Sequence, residues 1–385
     1  MDRRGFLSGA GAVTISAWLP RAAFAQRPGT SYNRLLVLVE LKGGNDGLNT
    51  VVPYADPAYA RLRPRLAVAR DQVLQLGQEA GLHPSLEPLM TLWRNRELAV
   101  VQGVGYPGAN LSHFRSIDIW DTASASTEYL TDGWLARAFA ATPVPASFAA
   151  DAVVVGGAEM GPLRGGTRAI ALANPEQFLR QARYAAPAGQ AGNAALQHIL
   201  RVEENVAQAA ARISGNRAFA TEFPTHPFGN AVRIASQLVA GDAGIAAVKI
   251  ALGGFDTHSG QPARHAQLLK AFGEGMAALR SALVELGRWD TSLVMTYSEF
   301  GRRPRENLSS GTDHGTAGAH FVLGGRVSGG MYGQPPALSR LDGNGNLPFA
   351  VDFRDLYATV LERWWGVDST RALRGRFTPL DVVRA

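Results

Sequence analysis

Cysteine is absent from all 385 residues. That excludes disulfides, thiolate metal sites, iron–sulfur clusters and a cysteine nucleophile together. Lysine is scarce: only Lys42, Lys249 and Lys270 occur among 38 basic residues. The formal charge of +6 therefore rests on arginines, and these are scattered along the chain. No basic cluster alternates with aromatics, which argues against a nucleic-acid partner. Beyond the N-terminus no apolar stretch approaches the length of a membrane span, so no stable membrane anchor is expected. With 46% hydrophobic and 18% charged residues, the composition is that of a folded chain with a sizeable core. The 43 glycines and 21 prolines imply many loops.

Residues 1–25 read as a signal peptide. Arg3-Arg4 precedes Gly5-Phe6-Leu7, a weakly apolar run reaches Leu19, and Ala23-Phe24-Ala25 is a small-x-small cleavage signal. The double arginine resembles a twin-arginine leader. It implies the twin-arginine translocon as a partner during export and a periplasmic or secreted product. Residues 26–385 are then expected to form one domain.

Four apolar, mostly β-branched runs (34–41, 97–102, 245–252 and 292–297) each lead into a Gly-rich or carboxylate-bearing loop. Runs without alternation indicate strands covered on both faces, hence a mainly parallel sheet. Helical periodicity lies between them, over 84–95, 353–365 and above all 262–288, where His265, Leu269, Phe272, Met276, Leu279 and Leu283 share one stripe. Strands alternating with helices predict a doubly wound α/β fold. The Ala-, Gln- and Asn-rich stretch 175–242 reads as a helical insertion or cap. No internal repeat is visible.

Ligands of open α/β sheets bind beyond the carboxyl ends of the strands. Asp46, the pair Asp256 and His258, and Glu299 all follow apolar runs, so they are expected to converge on one edge of the sheet. Asp256 and His258 stand at i and i+2, which in an extended segment puts both side chains on one side of the chain. Asp313 and His314 form a second acid–imidazole pair in a Gly-rich loop, with His320 six residues after His314. Oxygen and imidazole donors without thiolate suit a divalent metal, with Zn or Mn favoured by histidine, as one or two ions. His265, on the helix stripe, reads as a core residue. His83 reads as a loop or helix-start residue, and His198 and His226 as surface or loop residues.

Ser112 precedes a helix pattern. It is either an N-cap or a nucleophile placed where free helix amides favour an anion. Its neighbour His113 is a ligand, a proton donor or a structural residue, and Arg302 and Arg303 are candidate clamps for an oxyanion.

Six segments together carry a family resemblance: Gly43–Thr50, Leu111–Phe114, Phe255–His258, Ser298–Arg302, Gly311–Gly315 and Asp352–Tyr357. The chain resembles the DUF1501 family, secreted bacterial proteins related to the alkaline phosphatase and sulfatase superfamily. The resemblance implies an α/β core of alkaline phosphatase type with Asp46 as a metal ligand. It also implies Asp256 and His258 on an ion, Ser112 as nucleophile, and His314, or alternatively His320, as the final histidine ligand. The strand that ends in Asp-His in that superfamily ends here in Glu299-Phe300. The sulfatase pattern Cys-x-Pro-x-Arg is missing, which excludes formylglycine chemistry. The function expected is an exported metal-dependent hydrolase of small or polymeric phosphate, sulfate or related anionic esters. The alternative is a non-catalytic secreted binding or assembly protein with a degenerate metal site.

Overall fold

The structure is a computed structural model, and it describes residues 31–173, 217–241 and 244–384. The leader at 1–25 and the larger part of the 175–242 insertion lie outside the described residues. No helix among the described residues is long and apolar enough to cross a membrane.

Among the described residues, nine strands form one sheet: β1 Leu35–Lys42, β2 Leu98–Gly105, β3 Ala150–Val155, β4 Ala169–Leu172, β5 Ile245–Gly253, β6 Ser292–Tyr297, β7 Gly318–Leu323, β8 Gly330–Gly333 and β9 Val351–Asp352. Their order is β8-β2-β7-β6-β1-β5-β3-β4, with β9 also paired to β2. Every pairing is parallel except those of β7, which runs antiparallel to β2 and β6. The fold is thus α/β with a mainly parallel sheet. The helices that bear on the site are α1 Gly47–Thr50, α2 His113–Thr122, α3 Trp134–Ala141, α4 Pro227–Ala240, α5 Gln261–Glu285 and α6 Phe353–Ala358.

The sheet is covered on both faces, as unbroken apolar strands require. On β1, Leu35, Val37, Val39 and Leu41 pack with α4 and α5. Leu36 and Leu38 point the other way, toward α2, α3 and α6. The stripe on α5 is buried through His265, Leu269, Phe272, Met276, Leu279 and Leu283. Within the described end of the 175–242 stretch, α4 is a sheet-covering helix, burying Phe228, Val232 and Leu238 in the same layer.

Because β1, β2, β5 and β6 are parallel, their carboxyl ends share one edge. The reversed strand β7 enters at that edge instead of leaving there. The segment before β7 is therefore delivered to the same place, and His314–Gly315 pairs with Gly301–Arg302 in a short antiparallel ribbon beside it.

Candidate metal centre

Four polar side chains meet at this edge. The ligand atoms of His113, Asp256 and His314 lie within 4.8 Å of one another, so this group could hold a metal ion. His113 stands at the start of α2, Asp256 and His258 in the loop after β5, and His314 in the ribbon before β7. Around the Asp256 carboxylate, Oδ1 is 3.0 Å from His258 Nε2 and 3.3 Å from His314 Nε2. Oδ2 is 3.5 Å from His113 Nε2. The Nε2 atoms of His258 and His314 are 2.9 Å apart.

The other ring nitrogens are engaged on the far side. His314 Nδ1 is 2.8 Å from the Leu111 carbonyl, which only accepts, so Nδ1 carries the proton. His113 Nδ1 is 2.8 Å from Glu299 Oε1, and His258 Nδ1 is 3.3 Å from Asp313 Oδ1. We assign the tautomers from these acceptors. Each imidazole then presents an Nε2 lone pair toward Asp256. Two lone pairs 2.9 Å apart beside a carboxylate repel one another unless a cation or an extra proton lies among them. The donor set therefore fits a divalent ion.

The surroundings hold these groups in place. Burial opposes ionisation of Asp256, but the hydrogen bond and charge of Arg302 overcome it and hold the carboxyl down at about 2. Burial also lowers the pKa of His314, favouring the neutral ring that a ligand requires. The Asp313 carboxyl is held below its ordinary value, chiefly by the hydrogen bond from Asn307. Phe300 is buried, and its ring lies 4.8 Å from the His113 ring and 4.4 Å from the His314 ring, between centroids. It forms an apolar floor beneath two imidazoles.

Glu299 and Asp313 were expected as ligands. Both instead face the Nδ1 side of a histidine, where a carboxylate fixes ring orientation and raises basicity. Glu299 is further held by the Gly43 amide, at 2.9 and 3.1 Å from its two oxygens.

Three other expected residues are occupied elsewhere. Asp46 is fully buried and bonded to Arg63 at 2.6 and 2.9 Å, so its oxygens face a guanidinium. Its Oδ1 also accepts from the Leu48 amide and caps α1. Gln261 donates to Asp46 and accepts from Thr257 and Thr312, the residues before His258 and Asp313. Asp46 thus braces the site loops from behind. Arg302 is buried, and its donors go to Gly43, Gly44, Phe255 and Thr312 carbonyls and to Asp256, so it ties the site loops together from inside. His320, two residues into β7, is carried away from the edge into the sheet. It packs 5.2 Å from the Trp120 ring, and burial drives its pKa down to about 3.

His265 is a buried core residue bonded to Asn45 Oδ1 at 3.0 Å. Ser112 is exposed, makes no capping hydrogen bond, and lies between Leu111 and His113, both of which touch the cluster. Sequence reasoning missed the bracing role of Arg63; the only signal was its charge.

The chain is similar to the structure of a phosphonate monoester hydrolase from Silicibacter pomeroyi, at 11% identity over 89% of this chain and 76% of that one, with a TM-score of 0.43. It is similar to a protein of the alkaline phosphatase superfamily from Vibrio parahaemolyticus, at 9% identity over 96% and 72%, with a TM-score of 0.42. A sulfatase from Pseudoalteromonas sp. aligns at 12% identity over 90% and 70%, with a TM-score of 0.40. None of the curated proteins matches. The family model described as "Protein of unknown function (DUF1501)" matches residues 67–377.

Proposed function

The chain belongs to the DUF1501 family, and we propose that it is a metal-dependent hydrolase of anionic esters, phosphate or sulfate, exported by its N-terminal leader. One observation carries the reading. Three imidazoles turn their Nε2 atoms toward a single carboxylate, and each has its Nδ1 side against an acceptor. A divalent ion at Asp256, His113, His258 and His314 would supply Lewis acidity toward an ester oxygen.

The protein's own groups divide the remaining work. Glu299 and Asp313 keep His113 and His258 turned inward. The Ser112 hydroxyl, free of capping duty at the N-terminus of a ten-residue helix, is the nucleophile. The unpaired amides of the first turn of α2 favour the anionic group under attack.

Metal analysis of the purified protein, with turnover of p-nitrophenyl phosphate, phosphonate and sulfate esters, tests this. About one equivalent of zinc or manganese is expected, with both metal and turnover lost in Asp256→Ala. Absence of any stoichiometric ion after metal loading would end the reading. Loss of turnover in Ser112→Ala with metal retained would support the nucleophile. A bound ion with no turnover of any ester class would favour a secreted binding protein, which is motivated by Phe300 at a strand end where a ligand is expected.

A further inference from the structure

Two buried hydroxyls link the two sides of the histidine cluster. β2 ends at Gly105, and the turn that follows it leads to Ser112 and α2. Tyr106 heads that turn. It is buried, and its ring packs edge-on against Phe353 with centroids 5.6 Å apart. Its hydroxyl oxygen accepts from the Asn110 amide at 3.1 Å and lies 2.8 Å from Ser116 Oγ. Ser116, one turn into α2, is also buried, and its hydroxyl donates to the Glu299 carbonyl.

The direction of each bond follows from counting protons. A carbonyl only accepts, so the single proton of Ser116 goes to Glu299. Ser116 Oγ is then an acceptor, and Tyr106 donates to it at 2.8 Å in preference to the Asn110 carbonyl at 3.4 Å. The Tyr106 oxygen in turn takes the Asn110 N–H. Three bonds therefore run one way, from Asn110 through Tyr106 and Ser116 to Glu299. The two hydroxyls are closed off from water, so removing one leaves its neighbours unpaired.

Both ends of this chain bear on the histidines. Asn110 Oδ1 accepts from the Ser112 amide at 2.9 Å, so the residues on either side of Leu111 are held. The Leu111 carbonyl between them accepts from His314 Nδ1. At the other end, the Glu299 carboxylate faces His113 Nδ1. We propose that Tyr106 and Ser116 are positioning residues of the metal centre. Their hydroxyls set the spacing between the Leu111 carbonyl and the Glu299 carboxylate, and with it the angle at which His314 and His113 face a common ion. The ion rests on the proposed function; the setting of the two rings does not.

The test compares Tyr106→Phe, Ser116→Ala and their double variant with Tyr357→Phe. Tyr357 is a matched control: it is buried, and its hydroxyl donates to the Trp120 carbonyl, about two turns along α2 from His113. Zinc affinity is measured by chelator competition, and the histidine ring nitrogens of the metal-stripped protein are followed by NMR. Melting temperature is expected to fall in both tyrosine variants. Zinc affinity is expected to fall about tenfold in Tyr106→Phe and in Ser116→Ala, and to stay within threefold of wild type in Tyr357→Phe. The double variant is expected to lose little more than either single one, because one chain is broken once. The His113 and His314 ring signals are expected to move in Tyr106→Phe and not in Tyr357→Phe. Ser116→Ala tests the chain from its other end should Tyr106→Phe fail to fold. Zinc affinity unchanged in the hydroxyl variants, or lost equally in Tyr357→Phe, would overturn the inference, as would fully additive losses. If wild type binds no zinc, the metal reading falls and the ring signals decide: displacement in Tyr106→Phe alone keeps the positioning role, and unmoved signals remove it.

Discussion

His113, His258 and His314 come from three distant parts of the chain, yet each is held by its Nδ1 edge. Two of the holders are carboxylates and one is a backbone carbonyl. A carboxylate in this position sets the tautomer and makes the opposite nitrogen a better donor. Glu299→Gln keeps an acceptor near His113 but removes the charge. Its affinity for zinc, measured by competition with a chromophoric chelator, is expected to fall roughly 10- to 100-fold. A fall of less than threefold would show that Glu299 does not tune the ring. The pairing of Asp256 with His258 was legible from their i, i+2 spacing. That Glu299 and Asp313 back the histidines could not be read, because a carboxylate has the same letter whether it faces an ion or an imidazole.

Elements meet at this edge with little space to spare. Gly43, at φ +114, is the point of closest approach between the loops after β1 and β5, and a Cβ there would lie 2.4 Å from the Asp256 amide nitrogen. Its own amide donates to Glu299. An alanine would force the two loops apart and adopt a backbone conformation that L-residues rarely hold. Gly43→Ala is expected to lose about 1–3 kcal/mol of stability in a denaturant melt and to weaken zinc binding in the same preparation. An unchanged melt with unchanged metal affinity would refute the close approach. Arg302 acts at the same scale, tying the β1, β5 and ribbon loops together through four carbonyls and Asp256. Where an oxyanion clamp was expected, Arg302 is an internal crosslink, a role that a guanidinium with five donors serves equally well.

At the scale of the whole molecule, a buried cluster of charged residues sits in the layer on the α2 side of the sheet. Lys249 on β5 pairs with Glu40 on β1 at 2.8 Å, both buried, and Asp121 of α2 lies in the same charged neighbourhood, with Oδ1 lacking a hydrogen-bond partner among the described residues. Burial pushes the Asp121 carboxyl up to about 7; Lys249 works against this and Glu40 with it. The unfolded chain releases that proton near pH 4, so between about pH 4 and 7 the folded state binds more protons than the unfolded one. The contribution of Asp121 is complete below the unfolded value and is lost as pH rises through the folded value. Asp121→Asn is therefore expected to flatten the melting temperature across pH 4–8, with its largest gain over wild type at the alkaline end. A wild-type profile that rises steadily from pH 4 to 7, unchanged by the variant, would contradict this assignment. Local pattern alone settled the parallel core strands, the long α5 stripe and the presence of acids and imidazoles at strand ends, because apolar periodicity and strand-end loops are written in neighbouring residues. The direction of β7 was settled only by packing across the sheet. That reversal brings His314 to the edge and buries His320, and no residue near either histidine encodes it. The Arg63–Asp46 pair was likewise decided in three dimensions, since a buried aspartate takes the nearest cation the fold offers it.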